Sequence, residues 1–306
     1  MGFARSLGQL PDMFSRSGLL DVELRSDLWI RPHRKKDTPV RKSGVALGLP
    51  TKSFGDWVGA AQLTGEDLSL SRTDLVVGKD RIQIGTDLQA RSVGASLMKV
   101  GDRGGYTQGL VSLESYSDRP FRAPRDQYVS GLFLHAQPAH EGGQWLFGVH
   151  HSDNRGLLDG QPLPLIFYKF IFSELSDLVV GPLFLHGQIR GDLGHLELLA
   201  TPVSSSLSYN KSLGERLTLF SKGGVNAWSY MHSERMDSKN RLYYQEHFIE
   251  MGAKVKVDEG IMISNVLGHS FDRSIYEGRQ VYISNSGREK LAADIYMTFK
   301  LAVELW

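Results

Sequence analysis

The sequence predicts an all-β fold, an antiparallel transmembrane β-barrel of about 12 strands (roughly 12–14). Three observations predict it. The stretch ADIYMTFKLAVELW (293–306) alternates Ile295, Met297, Phe299, Leu301, Val303 and Leu305 with Asp294, Tyr296, Thr298, Lys300, Ala302 and Glu304. That is the period of an extended strand with one apolar and one polar face. Similar stretches recur along the chain, closer to the ~9–11 residues of a tilted membrane strand than to the ~5–6 of a soluble one. Finally, no run of ~18 apolar residues offers a membrane helix.

Composition is compatible with this fold and excludes other classes. The 306 residues are 41% hydrophobic with a mean hydropathy of −0.24. A membrane barrel tolerates such a value because only alternate strand residues are apolar. Net charge is +1, from 35 basic and 34 acidic residues, which removes the electrostatic case for a nucleic-acid partner. Cysteine is absent, so there is no disulfide framework, thiolate metal site or Cys nucleophile.

In chain order, the expected division is an N-terminal extension over 1–17 and a single barrel domain over 18–306. MGFARSLGQL contains no apolar signal core, so an outer-membrane placement requires a leader removed before this numbering begins. Met1-Gly2 with Ser6 also fits the short myristoylation pattern. Leu20, Val22, Leu24, Leu28 and Ile30 alternate with Asp21, Glu23, Arg25, Asp27 and Trp29, before the basic turn RPHRKKDTP (31–39). VRKSGVALGLP (40–50) follows, then a strand from Trp57 and another ending near Val77. Ile82, Ile84, Thr86, Leu88 and Ala90 alternate with Gln83, Gly85, Asp87, Gln89 and Arg91. YTQGLVSLESY (106–116) precedes a two-proline loop (117–126), and strands are expected at 127–137 and 144–152. NRGLLDGQPLP (154–164) is irregular. LIFYKFIF (165–172), LVVGPLFLHGQI (178–189) and HLELLATPVSSSLSY (195–209) each read as one strand. Segments 216–232 and 241–257 read as a hairpin, followed by a strand at 261–270, a loop at 271–290 and the final strand.

Periodicity does not say which face is outside. The polar faces carry Asp21, Glu23, Arg25, Asp27, Asp87, Arg91, Glu250, Lys254, Lys256, Lys300 and Glu304, with both signs interspersed. The first ten are expected to face a lumen, where opposite charges pair around water. A soluble sheet would instead turn them to solvent. Only a closed barrel allows many long amphipathic strands with no exposed edge. Aromatics near strand ends, among them Trp29, Trp57, Tyr106, Tyr116, Trp145 and Trp228, are expected to form interface girdles.

With these strands in place, the chain resembles bacterial outer-membrane β-barrels. QPLPLIFYKFIF (161–172) followed by LVVGPLF (178–184) resembles a barrel family of unassigned function within that group. The resemblance implies location in a bacterial outer membrane and no catalytic residues. The partners it implies are outer-membrane lipid and lipopolysaccharide, the barrel-assembly machinery and envelope proteins. One feature departs from the pattern: Trp306 shares parity with Lys300 and Glu304, whereas the closing aromatic of such barrels usually sits on the apolar face.

The enzyme candidate is VHHSDN (149–154). His150 and Ser152 share a strand face and resemble the His-x-Ser element of outer-membrane lipid A deacylases, in which His activates a Ser nucleophile. His151 and Asp153 stand where that motif has Tyr and Asn, and the next acids are Asp159 and Glu174. A polar strand end entering a loop accounts for the same residues. The remaining histidines show no ligand spacing, so neither metal nor cofactor is expected. The expected function is non-enzymatic: a narrow or plugged barrel serving as a docking component of an envelope assembly or as a small-solute pore. The alternatives are a lipid A-modifying enzyme using His150 and Ser152 and a soluble all-β binding module.

Overall fold

The computed structural model describes residues 19–27, 40–50, 55–70, 76–77, 82–83, 87–101, 105–139, 142–154, 160–233, 235, 237–281 and 288–304. The expected 1–17 extension, Trp29, Ile84, Thr86, Leu305 and Trp306 lie outside the described residues. Strands are β1 (Leu19–Asp27), β2 (Val40–Pro50), β3 (Trp57–Leu70), β4 (Val76–Val77), β5 (Ile82–Gln83), β6 (Asp87–Val100), β7 (Tyr106–Ser117), β8 (Tyr128–Pro138), β9 (Gln144–Ser152) and β10 (Leu163–Ser173). They continue as β11 (Ser176–Gly181), β12 (Phe184–Gly191), β13 (Gly194–Ala200), β14 (Ser204–Leu213), β15 (Leu217–Tyr230), β16 (Arg241–Asp258), β17 (Ile261–Gly278), β18 (Glu289–Leu291) and β19 (Asp294–Glu304).

Sixteen of these strands form one antiparallel up-and-down sheet that closes on itself. Closure is made by β1 and β19, in register from Leu19↔Glu304 to Asp27↔Tyr296. Short β18 pairs only with the upper part of β17, and β4–β5 is a small hairpin outside the wall. The expected count of about 12 strands is therefore corrected to sixteen. Part of the shortfall has a local cause. The segment 178–189 turns at 182–183 to give β11 and β12, and 195–209 turns at 201–203 to give β13 and β14. Pro182 and Pro202 mark both turns, where a central strand cannot supply its ladder N–H.

The two ends of the barrel differ. Both described chain ends lie at one end, with turns as tight as 174–175, 192–193 and 259–260. In the last of these Gly260 adopts φ +82°, open to glycine at no steric cost. The opposite end carries the long connections 71–86, 118–127, 153–162, 231–240 and 279–293.

The outer face carries an apolar belt. Val111, Phe133, Ile166, Leu207, Met251 and Met297 are all about half exposed, a surface suited to hydrocarbon rather than water. Trp145, Tyr168 and Phe170 pack edge to face toward its turn-end side, with Phe172 stacked beyond them. Two aromatics expected in girdles, Tyr116 and Trp228, point inward instead, and Tyr296 of the last strand joins them in the interior.

Candidate functional site: a polar lumen under a closed mouth

A strand residue belongs to the lumen if its parity matches the buried face. In β19 that face holds Tyr296 at 0% exposure, while Met297 next to it is 49% exposed. Lys300 has the Tyr296 parity and pairs with Glu23 of β1 at 3.1 Å. Tyr296 donates its hydroxyl to Glu250 at 2.6 Å, and Lys254 donates to Asn210 Oδ1 at 3.3 Å. Lys256 follows at the exposed turn-end rim. Register sets Asp21, Arg25 and Asp27 opposite Ala302, Thr298 and Tyr296, while their side chains lie outside the described set.

Asp87 and Arg91 are corrected. Register sets Arg91 opposite Ser115, two positions from Val93↔Leu113 on the lipid-facing side. The inward face there is Leu88 and Ala90. Arg91 instead pairs outside with Asp67 at 2.6 Å, and Asp87 accepts from Ser69 at 2.6 Å. The cause is height along the strand. Below this point the outer face meets hydrocarbon with Val93 and Leu97. Above it the outer face meets water and carries charge, while the interior is filled.

The polar ladder continues around the wall. Lys169 pairs with Asp177 at 3.2 Å, Gln188 donates to Asp177 at 2.6 Å, and His186 Nε2 lies 3.2 Å from Glu197. These groups line the turn-end half of the interior as paired charges with access to water, the condition under which interior charge is tolerable.

Among the described residues, wall-to-wall packing crosses the loop end. Val40, Leu68, Leu70 and Leu88 of β2, β3 and β6 pack in one buried cluster with Trp228, Tyr230, Tyr244 and Ile275 of the opposite wall. Val77 of the β4–β5 hairpin and Leu291 of β18 join it. Lys42 lies 4.6 Å from the centre of the Trp228 ring. Backbone also crosses the bore: Met231 N–H donates to the Tyr116 carbonyl at 2.6 Å, with Ser117 and Met231 in a parallel bridge. Contact between opposite walls of a sixteen-stranded barrel flattens its mouth.

Two buried polar links tie the loops over this packing. Arg235 Nη1 pairs with Asp126 at 2.8 Å, with side chains 3% and 1% exposed. The same guanidinium donates to the carbonyls of His232 and Arg125. Arg241 donates to Asn154 Oδ1 at 3.0 Å and to the Asp153 carbonyl at 2.7 Å. Asn154 in turn donates to the Tyr128 hydroxyl at 3.1 Å. Sequence reasoning missed these residues. Arg235 and Asp126 stand 109 positions apart in polar loops, and nothing local in either segment announces the pair.

His150 and Ser152 lie beneath this assembly on the inward face of β9, both buried. Ser152 Oγ accepts the Asn154 N–H at 3.2 Å, a turn contact at the strand end. The pair thus points into the barrel interior, with His150 in register with Leu163 of β10. Among the described residues, no group of three or more His, Asp or Glu is arranged to hold a metal ion.

No family model matches the chain, and no curated protein does. Solved structures with a similar architecture exist. The translocator domain of the autotransporter NalP from Neisseria meningitidis matches at 12% identity over 99% of this chain and 93% of that one, with a TM-score of 0.37. An outer membrane channel from Pseudomonas putida F1 matches at 8% identity over 94% of each chain, TM-score 0.38. The toluene transporter TodX of Pseudomonas putida matches at 10% identity over 100% of this chain and 94% of that one, TM-score 0.39. At these identities no residue role passes from them to this chain.

Proposed function

We propose that the chain is a bacterial outer-membrane barrel whose narrow polar lumen passes small solutes when its loop-end seal opens. The membrane placement is supported by a closed even-stranded wall with an apolar outer belt, the only sheet architecture that leaves no edge in hydrocarbon. The observation that carries the gate is the cross-bore contact of Tyr116 and Ser117 with Met231, set in a buried apolar cluster. The paired charges lining the turn-end half of the interior suit small polar solutes rather than a wide channel. A docking role in an envelope assembly uses the same barrel with the seal permanently shut.

The sequence has no cysteine, so Ser117→Cys with Met231→Cys introduces the only two thiols. Bridge partners lie within the Cα spacing a disulfide spans. In planar bilayers the reduced pair should show the conductance of the unmodified chain, and oxidation should abolish it. Equal conductance in both forms would refute the gate. Absence of conductance in both, with the barrel inserted, would favour the docking role.

A further inference from the structure

The barrel wall is uneven in height. β11, β12 and β13 contain 6, 8 and 7 residues, against 14 in β15 and 18 in β16 and β17. At about 3.3 Å per residue and a tilt of ~40°, β11 rises roughly 15 Å and β12 roughly 20 Å, short of the ~25 Å of a barrel's apolar band. The turn 182–183 on top of β11 and β12 therefore sits at hydrocarbon depth, whereas the turn 201–203 is shared with β14, whose 10 residues rise roughly 25 Å. Register shows the drop on both flanks. The pair Tyr168↔Val180 leaves the first residues of β10 above the end of β11, and Ser204↔Asn226 leaves 227–230 of β15 above β14.

Backbone without a neighbouring strand at that depth has no water to bond. The rim is built to reduce this cost. Pro162, Pro164, Pro182 and Pro202 all stand on it, and proline has no N–H to leave unpaired. On the other flank the Ala227 N–H donates to the Val203 carbonyl at 2.8 Å. The rim is thus chemically suited to hydrocarbon, not to water or to an added strand.

Behind the rim lies an apolar lobe of the interior. Leu134, Leu165 and Phe167 form its buried part, and the half-buried Leu163, Val179 and Phe184 carry it to the rim. Directly below run the pairs Lys169–Asp177 and His186–Glu197. An apolar lobe at the height of the low wall, above a polar ring, matches a molecule with one hydrocarbon chain and one polar head.

We propose that the low wall over β11–β13 is a side opening through which the chain of a single-chain amphiphile passes between the bilayer and this lobe. The proposal rests on the membrane placement argued above and not on the mouth acting as a gate. The test uses palmitic acid carrying a diazirine near its methyl end, added to phosphatidylcholine vesicles holding the full chain. After irradiation the labelled positions are mapped by mass spectrometry.

Label is expected on inward Leu163, Val179 and Phe184 as well as on lipid-facing Ile166 and Val180. Phe184→Asp should cut the label on Leu163 and Val179 severalfold and leave Ile166 and Val180 labelled, which reports an inserted barrel. Should Phe184→Asp fail to insert, Leu163→Asn reads the same loss at Val179 and Phe184. Inner labelling should persist when the Ser117→Cys/Met231→Cys pair is oxidised. Label confined to lipid-facing positions, or inner label that vanishes on oxidation, would overturn the side opening. Conductance of the same cysteine pair reports on the gate separately, so either idea can fall alone.

Discussion

Removing Arg235 should open the mouth. Asp126 is 1% exposed and its carboxylate meets Arg235 Nη1 at 2.8 Å. The Asp126 carbonyl is already committed to the Ser115 hydroxyl at 2.7 Å. Arg235→Ala leaves a carboxylate uncompensated in a closed site, a loss of about 3–5 kcal/mol for a buried pair broken on one side. At ~1.36 kcal/mol per tenfold, that favours loop states hydrating Asp126 by roughly two to nearly four powers of ten. Open probability in planar bilayers should rise, and limited proteolysis should cut 231–240 faster. Arg235→Met with Asp126→Leu removes both charges and keeps the volume, so it should return most of the closure. An Arg235→Ala chain with unaltered conductance and protease resistance would refute the latch. So would a double variant as open as the single one, because the cost would then lie in lost packing and not in the stranded charge.

Three further outcomes follow from the geometry. Gly268→Ala puts a Cβ 2.2 Å from Tyr296 Cζ, and overpacking of this kind costs about 1–3 kcal/mol. Its urea midpoint in detergent should fall, whereas Gly109→Ala, with nothing within 4 Å of its Cβ, should barely move it. Val111→Arg places a charge in the apolar belt and should cost ~2–4 kcal/mol near the midplane, while Asp87→Lys, above the belt, should insert normally. In the loop 231–240, the Lys239 N–H and the Arg279 guanidinium hold the Asp237 carboxyl below its ordinary range. A depressed carboxyl contributes stability above its ordinary range and loses it as pH falls through the lowered value. Protease protection of this loop should therefore weaken on acidification, modestly because the pair is exposed, and Asp237→Asn should flatten that dependence.

How much of this was legible in the sequence depends on where along a strand a residue stands. In β19 the alternation is unbroken: Met297 and Phe299 face lipid while Tyr296 and Lys300 face inward. The strand runs its length against a single outer medium, so one parity serves throughout. In β6 the same periodicity predicts the wrong faces for Asp87 and Arg91. The strand has 14 residues, more than the bilayer needs. Its upper part passes between water and a filled mouth, and hydrophobicity changes sides at about Arg91 although backbone parity does not. Strand count failed for the complementary reason. β11 and β13 are shorter than a span, so the expectation of ~9–11 residues merged each with its neighbour and passed over Pro182 and Pro202. The mouth was illegible by nature: Arg235–Asp126 and Met231–Tyr116 bring together positions more than 100 apart, and no periodicity spans that separation.

The corrections at β6 and at β11–β13 have one source. Both come from treating the bilayer as wide as the strands are long. Where strands outrun it, as in β3, β6 and β15–β17, the surplus wall folds inward on itself and closes the mouth. Where they fall short, the wall drops below the bilayer's upper face and leaves an apolar interior beside hydrocarbon. The same uneven profile thus seals the aqueous end and opens the side, so access to the lumen is set by strand length before any particular side chain is considered.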